Sequence, residues 1–546
     1  MPSLDILADR HVVIDRRQGH YLCFPDVCLT DDGRLLCAYN EFDRHVGTRR
    51  RLLLRESLDL GRTWGAARIL NATDSHCPRL SRVSESSGDG SGGDSGGDSG
   101  GGLLVLGDDA GATLHWSADQ GRTWAQQPGV GLNHGLLDRI LELDGQTLFT
   151  TGHQHRGSQP QPRIRQAPTE QMAYLSRNLG RSWESFSVIA SEKCLVLCEA
   201  SVVRLSQELL GGPPRLLALM RENSFVGEPM YWCLSEDGGA TWSEPRPSPL
   251  IGHRPTLGWT SSGRLLVTYR DVGPDPGTKA WLGSLDELCS DFEVHGLHPA
   301  PSNPRLTRSG LLVKNEAGSL SANDAPVRYS LRPLTDPDSA RAVFEAEVKV
   351  VSADVNGCGI RLGLWWKLYP DCLAPDLDDV LPIPWKPGRF HTVRIEYEPG
   401  LCRLFVDGKA RGEYPVDRLS GETRPILVGA IVRRGDNACE AVWRRMSLMT
   451  EEPRLGRSYA WSWDHNSGLL PDEHIQRRVL ELRNDRLANP ADFGYSGWTE
   501  LPPNADGPQF FCAYHHGGGD QPGYTPGESA YVAGTWFSES DFGAAE

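Results

Sequence analysis

SLDLGRTW at Ser57–Trp64 returns as SADQGRTW at Ser117–Trp124, SRNLGRSW at Ser176–Trp183 and SEDGGATW at Ser235–Trp242. The closing tryptophans fall 60, 59 and 59 residues apart. A fixed period of this length marks an array of supersecondary units that bury their apolar faces only by stacking on one another. Within each octet, Ser and Asp or Asn side chains can bond local backbone N–H groups, Gly tolerates positive φ, and Trp supplies an apolar plug. This is turn chemistry.

Working outward, apolar alternating runs flank D-G or S-G turns in FPDVCLTDDGRLLCAYNE (Phe24–Glu41), ILELDGQTLFTTG (Ile140–Gly152) and HRPTLGWTSSGRLLVTYR (His253–Arg270). Period-2 alternation broken by such turns predicts antiparallel strands. Three or four strands per unit of about 45 to 60 residues describe a β-propeller blade. Five units fit before residue 302. The fifth keeps only the Ser and Asp of its octet, in GSLDELCSDF (Gly283–Phe292).

Beyond the fifth unit the repeat stops. ARAVFEAEVKVVS (Ala340–Ser352), GIRLGLWWKLY (Gly359–Tyr369), FHTVRIEYEPGLCRLFVDGKARGEY (Phe390–Tyr414) and CEAVWRRMSLMT (Cys439–Thr450) are longer alternating strands. They resemble a concanavalin- or laminin-G-like jelly roll, with a glycan-binding role and a packing or lid role both open. After Arg457 the blade pattern resumes. The expected fold is all-β: a six-bladed propeller with an inserted β-sandwich. Residues 1–302 form blades one to five, 303–453 the insertion, and 454–546 the strands that complete the ring, with His11–Asp15 available to help. SSGDGSGGDSGGDSGG (Ser86–Gly101) reads as a flexible excursion whose aspartates lack a nonapeptide calcium pattern.

Composition narrows the partners. A chain of 546 residues is too long for one ordinary core. Its net charge of −15 argues against nucleic acid or an anionic membrane. No stretch is long and apolar enough to span a bilayer, and MPSLDILADRHVVIDRR lacks the apolar core of a signal peptide. The 13 cysteines are odd in number and contain no CxxC pair, which fits reduced thiols. A cytoplasmic setting is expected; a chain trimmed of its leader would read the same.

The octets match S-x-D-x-G-x-T-W, and the chain resembles the sialidase superfamily and other Asp-box propellers. In that superfamily the box lies between the third and fourth strands of a blade, away from the catalytic face. The octets therefore receive a structural role. The resemblance implies a site where the inner strands converge. CEASVVRLSQELLGGPPRLLALMREN (Cys198–Asn223) resembles the family segment with Glu on the first strand and Arg at the end of the second. It implies Glu199 as carboxylate partner of the nucleophile and Arg221 as clamp on a substrate carboxylate. GYSGWTEL (Gly494–Leu501) resembles the family's Tyr-Ser strand and implies Tyr495 as nucleophile, its proton passing to Glu199. The alternative is an ordinary strand aromatic. A neutral phenol avoids the repulsion that a carboxylate would meet from an anionic substrate, and tyrosine nucleophiles are a known exception to the two-carboxylate scheme.

The family's general acid is an Asp after the second strand of blade one. Asp43 in NEFDRHVG lies there, beside Glu41 and His45. That role requires a closed pocket that keeps the acid protonated; a solvated turn is the other reading. The chain departs from the family where Cys23-Phe24-Pro25 replaces Arg-Ile-Pro, and where Lys279 stands in place of the third arginine. Arg254 and Arg270 are nearby guanidiniums suited to bidentate carboxylate binding.

His45, His76, His134, His153, His155, His253, His515 and His516 lie near strand ends and, with Arg79, Asp138 and Tyr514, outline a polar funnel. Sialidases do not require such a set; some propeller lyases and hydrolases use histidines for proton transfer or metal. No pair has helical metalloprotease spacing, so no metal or other cofactor is predicted. Trp461, Trp463 and Trp498 are sugar-stacking or core candidates. The expected activity is retaining, exo-acting hydrolysis of a terminal acidic sugar other than ordinary sialic acid. Tyr495, Glu199 and Asp43 are the expected catalytic residues. The substrate contacts are Arg221, Arg254, Arg270, His45, His76, Arg79, His134, Asp138, His153 and His515. A lyase acting on uronate glycans and a non-catalytic glycan-binding propeller are the alternatives.

Overall fold

Each octet folds into the same turn. In a computed structural model of the chain, Gly61 N donates to Ser57 Oγ at 2.8 Å, Thr63 N to Asp59 Oδ1 at 2.8 Å and Trp64 Nε1 to Gly61 O at 2.9 Å. The other three octets repeat the pattern, Asn178 standing for Asp in the third. Every octet glycine lies at positive φ, and each packs on the neighbouring blade. A Cβ on Gly121 (φ 84°) would sit 2.4 Å from Leu36, and one on Gly239 2.9 Å from Phe149. Gly121→Ala is therefore expected to lower stability by at least about 1 kcal/mol, seen as a lower thermal midpoint. An unchanged midpoint would remove the octet's role in joining blades.

The structure describes residues 5–543 apart from 46, 74, 84–101, 109–111, 145, 161–165, 193, 206–212, 224–226, 298–303, 316–327, 337, 357, 418–424, 431–437, 505–506 and 520. The Gly/Ser/Asp stretch Ser86–Gly101 lies outside the described residues. Six four-stranded antiparallel sheets form the blades of a propeller, and two larger sheets form a sandwich. Blade one runs Tyr21–Leu29, Leu35–Phe42, Arg50–Ser57 and Arg68–Asn71, and blades two to four follow in chain order. Blade six joins Ser496–Asn504, Gly507–His516 and Tyr531–Ser538 to the N-terminal strand His11–Asp15, which pairs with its third strand. Building the last blade from both ends of the chain closes the ring, and its third strand is paired on both sides.

Blade five is split. Its first three strands are Gly252–Trp259, Leu265–Asp271 and Gly277–Gly283; its fourth, Val479–Asn484, comes from beyond the sandwich. Where the octet degenerates, Ser284 instead caps a short helix, Leu285–Leu288, in a reciprocal capping box with Glu287. The sandwich sheets have seven and eight strands in their main paths and share one core containing Phe344, Trp366, Val393 and Trp443.

The sandwich reaches beyond 303–453. His295–Leu297 pairs with Arg328–Leu331, and Arg457–Asp464, read as a returning blade strand, pairs with Cys439–Glu452. Its alternation, with Tyr459 and Trp463 buried, is that of any one-face-buried strand; only the pairing partner distinguishes the two placements. All 13 cysteines are free thiols.

The feature that positions the site is a kink repeated around the ring. Phe24, Cys77, Leu136, Glu199 and Arg254 have φ between 49° and 54°, and Gly494 has φ 83°. They occupy equivalent points at the start of the six inner strands. In blades one, four and five the ladder register shifts there, as in a β-bulge. Each non-glycine residue in this region costs about 1 kcal/mol or more. Two residues on, Asp26, Asp138 and Ser201 accept hydrogen bonds from the next blade: from Leu80 N (2.9 Å), Val202 N (3.2 Å) and Leu257 N (3.1 Å). The polar layer below the kinks ties the blades together.

Candidate active site

Tyr495 follows the blade-six kink and meets Glu199 of the blade-four kink. Its hydroxyl donates toward both carboxylate oxygens, 2.8 and 2.9 Å away. Arg221, from the second strand of blade four, donates through Nη1 to Glu199 Oε1 at 2.7 Å and to the Tyr495 hydroxyl at 2.6 Å. Asn223 accepts from its other terminal nitrogen. All three side chains of this cluster are buried. Arg270 lays its guanidinium over the Tyr495 ring, 4.6 Å from the centroid, and bonds Pro490 O at 2.8 Å and His253 Nδ1 at 2.9 Å. Arg254 donates to Leu136 O (3.1 Å) and Leu137 O (2.9 Å).

The opposite half of the kink ring is apolar. Phe24 and Cys77 share one buried cluster with Tyr495, with Leu136 packed against it. Phe24 is the hub: its ring centroid lies 5.1 Å from Tyr495, 5.3 Å from His515, 5.0 Å from His76 and 6.3 Å from His45. Phe24 stands where the resemblance expects Arg-Ile-Pro. An aromatic platform thus faces a cluster of guanidiniums.

Burial and charge set the protonation states. Burial alone would raise the Glu199 carboxyl, but Arg221 and Arg254 outweigh it and hold it below the usual carboxylate range. Burial raises the Tyr495 phenol, Arg221 opposing and Glu199 reinforcing the shift. At rest the proton sits on Tyr495 and the charge on Glu199. Burial also keeps His153 neutral, lowered to about 3, and His253 and His515 well below the usual imidazole value. Arg270 differs from Arg221: no carboxylate lies within ion-pair distance of it among the described residues, and burial lowers its pKa.

Other expected site residues lie elsewhere. Asp43 is exposed, accepts a hydrogen bond from Arg49 N and is shifted downward, so the closed environment required for a protonated general acid is absent. Arg79 and Asp138 belong to the layer below: Arg79 lies 3.7 Å from Asp138 and 4.0 Å from Asp26, and donates to Thr256 Oγ1 and Ser496 O, each at 3.2 Å. They brace the channel, because both are buried and committed to contacts with other blades. His134 bonds Tyr174, His155 bonds Thr169, and His153 accepts from Glu199 N at 3.4 Å. His153 is thus a support for the Glu199 backbone. Trp498 donates to Thr256 O and packs on Phe510, and Trp463 belongs to the sandwich core. Among the described residues no group of three or more His, Cys, Asp or Glu is placed to hold a metal. Tyr21, Asn223 and Asp492 were not singled out from the sequence, which carries no periodic signal for them.

No family model and no curated protein matches the chain. Among solved structures it is similar to a protein of unknown function from Dyadobacter fermentans DSM 18053, at 12% identity and TM-score 0.46 over 96% of this chain and 97% of that one. It is also similar to Trypanosoma rangeli sialidase in complex with the inhibitor DANA, at 11% identity and TM-score 0.28 over 79% and 92%. A third is xylan beta-1,4-xylosidase from Bacillus halodurans C-125, at 12% identity and TM-score 0.31 over 81% and 100%.

Proposed function

We propose that the chain is a retaining glycoside hydrolase that removes a terminal acidic sugar through Tyr495. The observation that carries this reading is the buried Tyr495–Glu199 pair, joined by a phenol that donates toward both carboxylate oxygens and by Arg221 bonded to each. A phenol needs a base to become a nucleophile, and Glu199 is ionised and in contact. Beside them, Arg270 has no carboxylate at ion-pair distance among the described residues and its charge is disfavoured by burial, which favours an anionic ligand group. Across the ring, Phe24 lines the apolar side of the site, packed against Tyr495, His515 and His76.

Glu199 is a weak base at rest because its arginines hold it down. A substrate carboxylate seated on Arg270 offsets part of the positive field around Glu199, so Glu199 gains proton affinity when the correct ligand arrives. Tyr495 oxygen then forms a bond to the anomeric carbon as the glycosidic bond breaks, and its proton moves to Glu199. Water subsequently releases the sugar with overall retention. The experiment is a panel of 4-nitrophenyl glycosides of acidic sugars and their neutral counterparts, with the first-formed anomer read by proton NMR. Release confined to acidic glycosides, with retention, is expected. Cleavage of neutral glycosides alone, inversion, or an unsaturated uronate product would each refute the reading, the last in favour of a lyase.

A further inference from the structure

With Asp43 exposed, the hydrolase reading has no acid for the leaving group. Resting on that reading, we infer that His45 is the acid/base residue, held by a Tyr21–Asp492 relay. His45 is half-buried at the rim, one aromatic ring away from Tyr495: its ring lies 6.3 Å from Phe24, and Phe24 lies 5.1 Å from Tyr495. Its Nδ1 is 2.9 Å from the hydroxyl of fully buried Tyr21. That hydroxyl has a single proton and faces two acceptors, Asp492 Oδ1 at 3.0 Å and Ala491 O at 3.2 Å. The charge-assisted bond to Asp492 takes the proton, so Nδ1 of His45 must be the donor to Tyr21. Nε2 is left as the nitrogen that exchanges a proton with substrate.

The relay is anchored at both ends. Asp492 also accepts from Tyr524 Oη at 2.9 Å and Gly527 N at 2.8 Å, and His45 N donates to Gly527 O at 2.7 Å. One buried carboxylate thus fixes both the imidazole's tautomer and the loop that carries it. A sugar with its anomeric carbon at Tyr495 directs its aglycone oxygen past the edge of Phe24 toward this rim. In the first step Nε2–H of His45 protonates that oxygen as the glycosidic bond breaks, while Glu199 takes the Tyr495 proton. In the second, neutral His45 takes a proton from the attacking water, and Glu199 returns its proton to Tyr495.

The charged and titratable groups around His45 are Asp492, Arg270, His76, His515 and Tyr21. Burial lowers its pKa from the usual imidazole value, Asp492 opposing and Arg270 and His76 adding to the shift. The acid form is therefore lost as pH rises through a midpoint below 6.5. Cleavage of a substrate that needs protonation falls with it.

The test compares 4-nitrophenyl and methyl glycosides of the acidic sugar cleaved by wild type, using the full chain and His45→Gln. Loss of kcat/KM by about 100-fold or more on the methyl glycoside and less than about tenfold on the nitrophenyl glycoside is expected. The falling alkaline limb should vanish, and azide should yield a glycosyl azide. Tyr21→Phe, a change at a positioning residue, should keep the alkaline limb but displace it. Equal losses on both substrates, or an unmoved limb in His45→Gln, would overturn the inference while leaving the Tyr495 reading intact. A wild type that cleaves neither glycoside overturns both.

Discussion

Replacing Tyr495 by Phe is expected to lower kcat/KM on an acidic aryl glycoside by about 10⁴-fold or more, the scale of losing a covalent nucleophile. The substitution is conservative for the fold. The ring stays under Arg270 and against Phe24, and Arg221 still bonds Glu199. What disappears is one hydroxyl in a buried network, worth about 1 kcal/mol, so the thermal midpoint should move by only a few degrees. Glu199→Gln should fall less, by roughly 10²- to 10⁴-fold, because it removes the base and not the nucleophile. The two effects should not add, since the pair works as a unit. A fluorinated acidic sugar with a good leaving group should label wild type on the peptide containing Tyr495. Retention of more than a tenth of wild-type activity by the Phe variant, or label on another peptide, would remove tyrosine from the mechanism.

The octets act as a ruler for blades one to four and place Glu199 on the inner strand of the fourth. Local chemistry carried that information: a Gly at positive φ between a bonding Ser/Asp pair and a Trp is specific to one turn. Tyr495 lies beyond the last octet and was legible only through the segment GYSGWTEL (Gly494–Leu501). The same reading could not separate Arg457–Asp464 from a blade strand, because alternation reports one buried face and not the partner across the ladder.

The site was harder to read for a related reason. Its side chains are aimed by left-handed kinks at Phe24, Cys77, Leu136, Glu199 and Arg254, residues with no intrinsic preference for that conformation. Only Gly494 announces its kink. The other five carry no such mark, and at three of them a polar side chain two residues on bonds the next blade. Arg79 and Asp138 are charged and lie at strand starts, the pattern expected of substrate contacts. Their commitment to the layer below follows from that two-residue offset. Asp43 was placed correctly along the chain, but its exposure depends on the loop's path, which composition does not encode.

Arg270 provides the sharpest test of what the pocket is built to hold. Arg270→Met should stabilise the free protein, by about 1 kcal/mol, while raising KM for an acidic glycoside by about 10- to 100-fold. The stability sign follows from two opposing terms. The variant gives up hydrogen bonds to Pro490 O and His253 Nδ1 and the guanidinium's seat over the Tyr495 ring, together a loss of about 2 to 4 kcal/mol. It also removes a buried cation with no carboxylate at ion-pair distance among the described residues, a burden of several kcal/mol even after relaxation. The lowered pKa of Arg270, dominated by burial, points the same way: the folded state disfavours this charge. Because guanidinium does not titrate near neutrality, the gain should be constant across neutral pH. The KM effect has the magnitude of a charge-assisted hydrogen bond, about 1.5 to 3 kcal/mol. Binding then supplies the missing anion, so the free acidic sugar should raise the thermal midpoint of wild type more than that of Arg270→Met. A variant that is less stable than wild type and equally protected by the sugar would mean that Arg270 is a structural brace. In the expected case, the site carries a buried positive charge that an anionic ligand relieves, and substrate recognition is written into the fold as a deficit of stability.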